Sequence, residues 1–235
     1  LLRPLPVAEP DRLVNFGAPG PRSGSTSCGQ AGDCEQVFSY AMFRDLEREQ
    51  TPFTGIAAHV IFGANISYEG TTISGDGTLV SGSYFPVLGV QPALGRLFGP
   101  QDDQTPGGHP IAVLGYDYWR SQLGSSSEVL DRTIIVNGTP LTIVGVAPRG
   151  FAGTTFGVRP SVYVPLTMRE QMSPGWRGCH NRRSYWAYLF ARLEPGMTIG
   201  QAPGALHATF KPVLNEVGAP LHTGMSGQVM PRVRP

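Results

Sequence analysis

The chain has 235 residues, 40% of them hydrophobic, so it can bury a substantial core and an intrinsically disordered protein is excluded. Only 15% of the residues are charged and the formal net charge is +1, which argues against a nucleic-acid partner. The 31 glycines and 22 prolines predict many turns and short strands. No run of about 18 apolar residues is present, so the sequence predicts no membrane-spanning helix.

The first half of the chain is predicted to contain strands, a helix and a hairpin. Ser39 has the features of a helix N-cap, because Phe38 and Phe43 flank it as a hydrophobic staple, and the helix should end near Glu49 before Thr51-Pro52. The other expected elements are a strand at 13–16, antiparallel strands at 55–68 and 71–81, and a short helix at 84–88.

The second half begins with a passage rich in glycine and proline at 89–108, which is the best candidate for a domain boundary. Asn137-Gly138 between two β-branched runs predicts a tight hairpin. The other expected elements are strands at 109–114, 162–164, 185–193 and 226–235, a helix at 116–123 with Tyr116, Trp119 and Leu123 on one face, and an amphipathic helix at 198–217 that Pro203 and Pro212 interrupt.

Three cysteines are present, and none has the paired spacing of a zinc site or a thiol-exchange motif. Cys28 and Cys34 flank a glycine-containing bend and form a candidate disulfide in an oxidising compartment. Cys179 is interpreted as a lone thiol, although its pairing with either of the other two cysteines stays open.

Motifs that carry catalysis are absent from the sequence. It has no nucleophile elbow, no metalloprotease helix, no calcium-binding loop and no phosphate-binding loop of the Walker type. The adjacent carboxylates Asp102 and Asp103 are interpreted as a solvated turn or a helix cap, and Gly75-Asp76-Gly77 as a tight turn or bulge. No two histidines have a four-residue spacing. The sequence therefore predicts no catalytic residue, no cofactor and no metal site.

The segment 176–188 combines aromatic residues with arginines, a composition found in protein interfaces and in sites for single-stranded nucleic acid. Packing explains most of it, because Tyr185, Trp186 and Tyr188 fall in or near a predicted strand. A contact with a protein partner is the second interpretation, and nucleic acid is the weakest. The candidate partner-contact residues are Trp176, Arg177, Arg182 and Arg183.

Several longer motifs together resemble the MacB-like periplasmic core domain of FtsX-like ABC transporter permeases, particularly the bacterial orphan permeases with two such domains. They include Val80-Ser81-Gly82-Ser83-Tyr84-Phe85-Pro86-Val87-Leu88-Gly89-Val90, Ala93-Leu94-Gly95-Arg96-Leu97-Phe98, Ile143-Val144-Gly145-Val146-Ala147-Pro148 and Val164-Pro165-Leu166. Two features depart from the family pattern, namely the loop from Cys28 to Cys34 and the prolines at 203 and 212.

The resemblance implies an α+β fold in which a porter-like mixed α/β subdomain carries an inserted, mostly β second subdomain. The implied division is an N-terminal strand and loop at 1–35, the first part of the porter-like subdomain at 36–90, the inserted subdomain at 91–175, and the second part of the porter-like subdomain at 176–235.

The same resemblance implies a non-catalytic domain in the periplasm, belonging to an inner-membrane permease, that engages a substrate or partner and transmits ATP-driven conformational change. Its implied partners are the permease's transmembrane helices, the cytoplasmic ATPase acting through them, and a second copy of the domain or an adaptor protein. Two alternatives stay open, a periplasmic ligand-binding module and a secreted α/β enzyme.

Overall fold

A computed structural model describes residues 7–17, 23–29, 33–49 and 53–202, together with the backbone of 232–234. Over these residues the chain has the mixed α/β composition that the sequence predicts. None of the helices in this part of the chain is both long and apolar enough to cross a bilayer. The predicted helix at 198–217 lies mostly outside the described residues.

The chain divides into two compact units, each formed by discontinuous segments. The first unit comprises Leu1–Pro10 and His59–Arg177, and the second comprises Asp11–Ala58 and Gly178–Pro235. Strand β4 (Phe53–Tyr68) contributes residues to both units. The four-part division predicted from the sequence, with its inserted subdomain at 91–175, remains a prediction.

In its described residues, the second unit is built on a small sheet and helix α1 (Tyr40–Arg48). In sheet order the strands are β13, β1, β12 and the first residues of β4, with β3 also paired to β12, while β2 and β11 form a separate parallel pair. The bounds are β1 (Leu13–Gly17), β2 (Ser25–Thr26), β3 (Val37–Phe38), α1 (Tyr40–Arg48), β11 (Ser184–Tyr185), β12 (Ala187–Leu193) and β13 (Arg232–Arg234).

Helix α1 begins where the sequence predicts. The Ser39 hydroxyl oxygen accepts a hydrogen bond from the backbone N–H of Met42 at 3.2 Å, which satisfies one of the amides that the first helical turn leaves open. Phe38, just before the helix, and Met42 and Leu46 on it are each at most 2% exposed, so the apolar face of the helix is buried.

The first unit contains most of the β structure. Its strands have the order β4, β5, β10, β7, β9 and β6, and β8 pairs with both β4 and β9. The bounds are β5 (Thr71–Val80), α2 (Tyr84–Leu88), β6 (Leu94–Gly95), β7 (Ile111–Leu114), α3 (Tyr116–Gln122), β8 (Thr133–Val136), β9 (Thr139–Val146), β10 (Val162–Pro165) and α4 (Arg169–Met172).

Two hairpins organise this unit. Strands β4 and β5 pair in antiparallel register from His59 opposite Val80 to Tyr68 opposite Thr71. Strands β8 and β9 are joined by Asn137 and Gly138 at φ 49° and 80°, the two positive values that the predicted turn requires. The Asn137 side chain donates to the carbonyls of Gly63 and Met172 at 2.9 and 2.7 Å, so the turn is attached to β4 and to α4.

Aromatic packing fills the core of each unit. In the second unit, the Phe16 ring contacts those of Phe38 and Phe53 with centroid separations of 6.3 and 5.3 Å. In the first unit, Phe85 on α2 packs against four rings at centroid separations between 5.3 and 6.2 Å, those of Tyr84, Phe98, Phe151 and Tyr163. Such T-shaped and tilted contacts are the favoured arrangement of buried aromatic side chains.

One local prediction is wrong. Gly75-Asp76-Gly77 lies inside the regular ladder of β5 and forms neither a turn nor a bulge. At Gly77 the Phe62 ring of the neighbouring strand lies where a Cβ atom would be, so a larger residue there would require this ring to move. On α3 the Tyr116 and Trp119 rings contact each other with a centroid separation of 5.6 Å, in agreement with their predicted position on one face. The buried residue of this helix is Tyr118, and the Trp119 indole donates to the Ser126 carbonyl at 2.8 Å.

Candidate functional site

The four candidate partner-contact residues fall in different compact units, Trp176 and Arg177 in the first and Arg182 and Arg183 in the second. Trp176 is half-buried, and the Arg169 guanidinium carbon lies 4.7 Å from the centroid of its ring. This cation–π contact holds the indole against its own unit. Arg177 is exposed, and its guanidinium donates to the Trp176 carbonyl at 3.0 Å.

Arg182 and Arg183 differ in their surroundings. Arg182 Nη1 lies 2.6 Å from Asp45 Oδ2, in an ion pair that connects the segment before β11 to helix α1. The Arg183 side chain is exposed, while its backbone carbonyl accepts from Ser25 at 2.9 Å. Two members of the predicted set are thus engaged within the chain, and Arg177 and Arg183 are the more exposed members.

Cys28 and Cys34 lie together in the second unit, with their Cα atoms 5.0 Å apart and their sulfur atoms joined. Both residues are exposed, and Cys179 is buried elsewhere in the same unit. The Tyr188 hydroxyl accepts a hydrogen bond from the Gly29 N–H at 2.9 Å and donates one to the Gly29 carbonyl at 3.2 Å. These contacts attach the beginning of the cysteine loop to β12.

The carboxylates Asp102 and Asp103 correct the interpretation as a solvated turn, since they are 6% and 1% exposed. Arg96 binds Asp102 through two parallel hydrogen bonds of 2.7 and 2.9 Å, and Gly99 N–H donates to the same carboxylate at 2.9 Å. Burial raises the pKa of Asp102, but these hydrogen bonds outweigh burial and lower the pKa below its ordinary value. The other interpretation from the sequence, a helix cap, fits Asp102, because its carboxylate accepts from the Gly99 N–H.

Asp103 connects two loops. Its carboxylate accepts from Thr167 N–H at 2.8 Å and from Gly82 N–H at 3.3 Å, which satisfies two buried amides. Sequence reasoning missed this role because a pair of acidic residues in a glycine- and proline-rich passage gives no sign of the distant amides that it will meet.

A second buried polar group lies around His59 on β4. Its ring centroid is 6.0 Å from that of Tyr84, and Thr154 Oγ1 lies 3.5 Å from His59 Nε2 and 3.2 Å from the Tyr84 hydroxyl. Burial lowers the pKa of His59 to about 4 and raises the pKa of Tyr84 and of Tyr163. The three groups are therefore uncharged near neutral pH, as an aromatic core requires.

Within the described ranges, no three histidine, cysteine, aspartate or glutamate side chains are grouped so that they could hold a metal ion. The buried carboxylates are satisfied by Arg96 and by backbone amides, which are structural partners.

Comparison with known proteins assigns this mixed α/β domain to a class, the extracytoplasmic domains of membrane transporters. Residues 7–209 match the family model described as "MacB-like periplasmic core domain". Because the match spans most of the chain, the protein belongs to this family. It is accordingly a periplasmic domain of an ABC transporter permease, as the resemblance implies. No curated protein matches the chain.

Solved structures share the fold at low sequence identity. The periplasmic region of MacB from Actinobacillus actinomycetemcomitans aligns with a TM-score of 0.64 at 11% identity, covering 97% of this chain and 89% of that one. The extracellular domain of the noncanonic ABC-type transporter YknZ from Gram-positive bacteria aligns with a TM-score of 0.62 at 13% identity, covering 95% and 100%.

A domain of a permease-like protein from Porphyromonas gingivalis also aligns, with a TM-score of 0.59 at 16% identity, covering 96% of this chain and 90% of that one. The fold predicted from the sequence is confirmed at the level of its mixed α/β class by these three structures.

Proposed function

We propose that this domain is a non-catalytic module that passes conformational change from a cytoplasmic ATPase, through the permease's transmembrane helices, to a substrate or partner outside the membrane. Membership of the MacB-like periplasmic core domain family over residues 7–209 is the observation that carries the proposal. A domain of this family has its energy source on another part of the transporter, so its own task is to bind and to move.

Strand β4 supports this proposal. Its 16 residues run without interruption through parts of both compact units. From His59 to Tyr68 the strand is hydrogen-bonded to β5, so a displacement of β4 must move this ladder or break it. Strand β5 in turn pairs with β10, which lies in the predicted inserted subdomain at 91–175, so we propose that β4 and β5 carry motion between the porter-like subdomain and the inserted one.

The partner contacts are proposed to be Trp176 and Arg177 in the first unit and Arg182 and Arg183 in the second, with the exposed Arg177 and Arg183 most open to a partner. Arginine and tryptophan are enriched at protein interfaces, where a planar side chain gives a large contact area with little loss of conformational freedom. The partner is proposed to be a second copy of the domain or an adaptor protein.

The test uses the intact permease with its ATPase in lipid nanodiscs. Spin labels on Ser127→Cys in the first unit and Glu194→Cys in the second report a distance distribution by pulsed electron resonance. We expect the distribution to differ between nucleotide-free and ATP-bound transporter, and the difference to disappear when the ATPase cannot bind nucleotide. A distribution that is the same in both states, in a transporter that hydrolyses ATP, would contradict the proposal.

A ligand-binding module is the second candidate function. One observation favours it, a polar cavity in the first unit that combines aromatic rings with charged side chains. Binding and mechanical transmission are compatible, because a domain that engages a substrate must first recognise it.

A further inference from the structure

The first unit contains a cavity of about 410 Å³ where the tip of the β4–β5 hairpin meets helix α3 and the turn at Ser127–Val129. Its size is within the range of small-molecule sites. The residues that give it chemical character are two tyrosines, Tyr68 and Tyr118, two glutamates, Glu69 and Glu128, and one arginine, Arg132.

Tyr118 indicates that the cavity is suited to a ligand. Its side chain is only 7% exposed, and none of the hydrogen bonds found in the described part of the chain involves its hydroxyl. Because Tyr118 lines the cavity, a molecule bound there can form a hydrogen bond with this hydroxyl.

The tyrosines remain neutral in this setting. The pKa of Tyr68 is raised by desolvation first and then by the charge of Glu69, and the pKa of Tyr118 is raised by burial and by Tyr68. Both phenols therefore keep their protons at neutral pH. Neutral phenol rings present electron-rich faces, which attract cations.

The charged side chains of the cavity also favour a cation as its ligand. Glu69 and Glu128 are exposed, so their carboxylates can reach a ligand, and they outnumber the single guanidinium of Arg132. Arg132 Nε lies 3.4 Å from the Glu128 carbonyl and donates to it, and the charge of Arg132 acts to lower the pKa of Tyr68, so this guanidinium offsets one of the two carboxylates. An anion would meet two carboxylates, whereas a cation would gain from them.

We propose that this cavity binds a small organic cation, an ammonium or quaternary ammonium group, between Tyr68 and Tyr118 with Glu69 and Glu128 as counter-charges. The inference rests on the proposed function only for the biological role of the ligand, which would be a transported or sensed molecule. Binding itself does not depend on whether the domain transmits motion.

The experiment titrates the 235-residue chain with choline and follows backbone amides by two-dimensional NMR. Dimethylbutanol, in which a carbon atom replaces the quaternary nitrogen, is the uncharged probe of the same shape. We expect saturable shifts around Tyr68, Tyr118 and Glu128 with choline, and binding at least about fivefold weaker with dimethylbutanol, because the neutral probe lacks the attraction to carboxylate and ring.

Matched variants separate charge from folding. Glu69→Gln and Glu128→Gln should each weaken choline binding by about threefold or more, while Tyr68→Leu should weaken it by removing a half-exposed ring. Glu194→Gln makes the same change of charge on an exposed residue of the other unit and should leave binding unchanged.

Three outcomes would overturn the inference: no saturable shift with choline, equal binding of both probes, or shifts that lie away from the cavity. Equal binding would indicate a neutral ligand such as a sugar. The spin-label experiment reads motion in the intact transporter, so a domain that moves with nucleotide but binds no cation would fail only the present test.

Discussion

The buried carboxylates Asp102 and Asp103 show how single residues stabilise this domain. Asp102 forms a two-bond ion pair with Arg96, and Asp103 accepts from the amides of Thr167 and Gly82 at a site that is 1% exposed. Hydrogen bonds to a charged acceptor are stronger than those between neutral groups, and buried amides without partners are costly.

Replacing the Asp103 side chain should therefore destabilise the domain. We expect Asp103→Ala to lower the free energy of unfolding by about 2–3 kcal/mol, because two buried amides lose their acceptor. Urea denaturation measures the change. Asp117→Ala is the control, since Asp117 pairs with Arg159 at 3.4 Å while both side chains are largely exposed, and it should cost less than about 0.5 kcal/mol. Equal losses in the two variants would contradict the structural role of Asp103.

His59 should make the domain less stable in mild acid. Its pKa is about 4 in the folded state and 6.5 ordinarily, so between these values the unfolded chain takes up a proton that the folded chain does not. Stability attributable to His59 is complete above pH 6.5 and falls as the pH drops toward 4, by about 3 kcal/mol in total.

The measurement is the free energy of unfolding of the native chain and of His59→Gln from pH 7.5 to 4. Glutamine does not titrate, so the variant should lose less stability over this range, and the two curves should converge as the pH falls. Asp102 also loses its interaction in acid but is common to both proteins, so the difference isolates His59. Parallel curves would show that His59 does not titrate as its burial implies.

At the scale of secondary-structure elements, close backbone approach fixes the edge of the sheet in the first unit. Strand β6 pairs with the end of β9, Leu94 opposite Val146 and Gly95 opposite Gly145. A Cβ atom on Gly145 would fall on the carbonyl of Arg96, in the backbone that leads from β6 toward Asp102. The absence of a side chain at this position is what allows β6 to lie here.

Two strand glycines offer a matched comparison. Gly145→Ala should lower the free energy of unfolding by about 2–3 kcal/mol, since a backbone carbonyl cannot rotate away as a side chain can. Gly63→Ala, on β4, meets no atom within 4 Å and should be neutral or slightly stabilising. Thermal and urea unfolding of both variants decide the matter, and a Gly145→Ala protein as stable as the native one would show that β6 does not pack in this way.

For the whole molecule, family membership predicts that the domain lies outside the cytoplasm of the bacterial cell. The native permease carrying Ser127→Cys, an exposed position, should react with a membrane-impermeant maleimide added to spheroplasts. The permease without that cysteine should show little labelling of this domain, because Cys179 is buried and Cys28 and Cys34 are joined. Labelling that requires cell lysis would place the domain on the other side of the membrane.

The cysteine pair adds a check on the same prediction. Mass spectrometry without reductant should find Cys28 and Cys34 linked in protein from the periplasm, as an oxidising compartment favours. A loop this short is expected to gain about 2 kcal/mol from the crosslink through the reduced entropy of the unfolded chain. Free thiols at both positions would remove this support for the location.

Local sequence determined much of the fold. Asn137-Gly138 favours a turn with two positive φ values, and the Ser39 side chain caps the helix by accepting from the Met42 amide three residues later. The apolar run before Tyr68 and the alternating run after Thr71 pair as antiparallel strands. These features depend on residues close together in the chain, so local rules suffice. The family resemblance likewise depends on contiguous motifs, so the sequence by itself indicates the class of protein.

Tertiary structure alone decided which polar groups are buried and what they meet. Asp103 reaches the amide of Thr167 across 64 positions of sequence, and the cavity joins Tyr68 to Tyr118 and Glu128, which belong to separate elements. Tertiary packing likewise determines which face of α3 is buried and brings the Arg96 backbone close to Gly145. Burial and long-range contact depend on how strands and helices pack, and no spacing within a single segment encodes that packing.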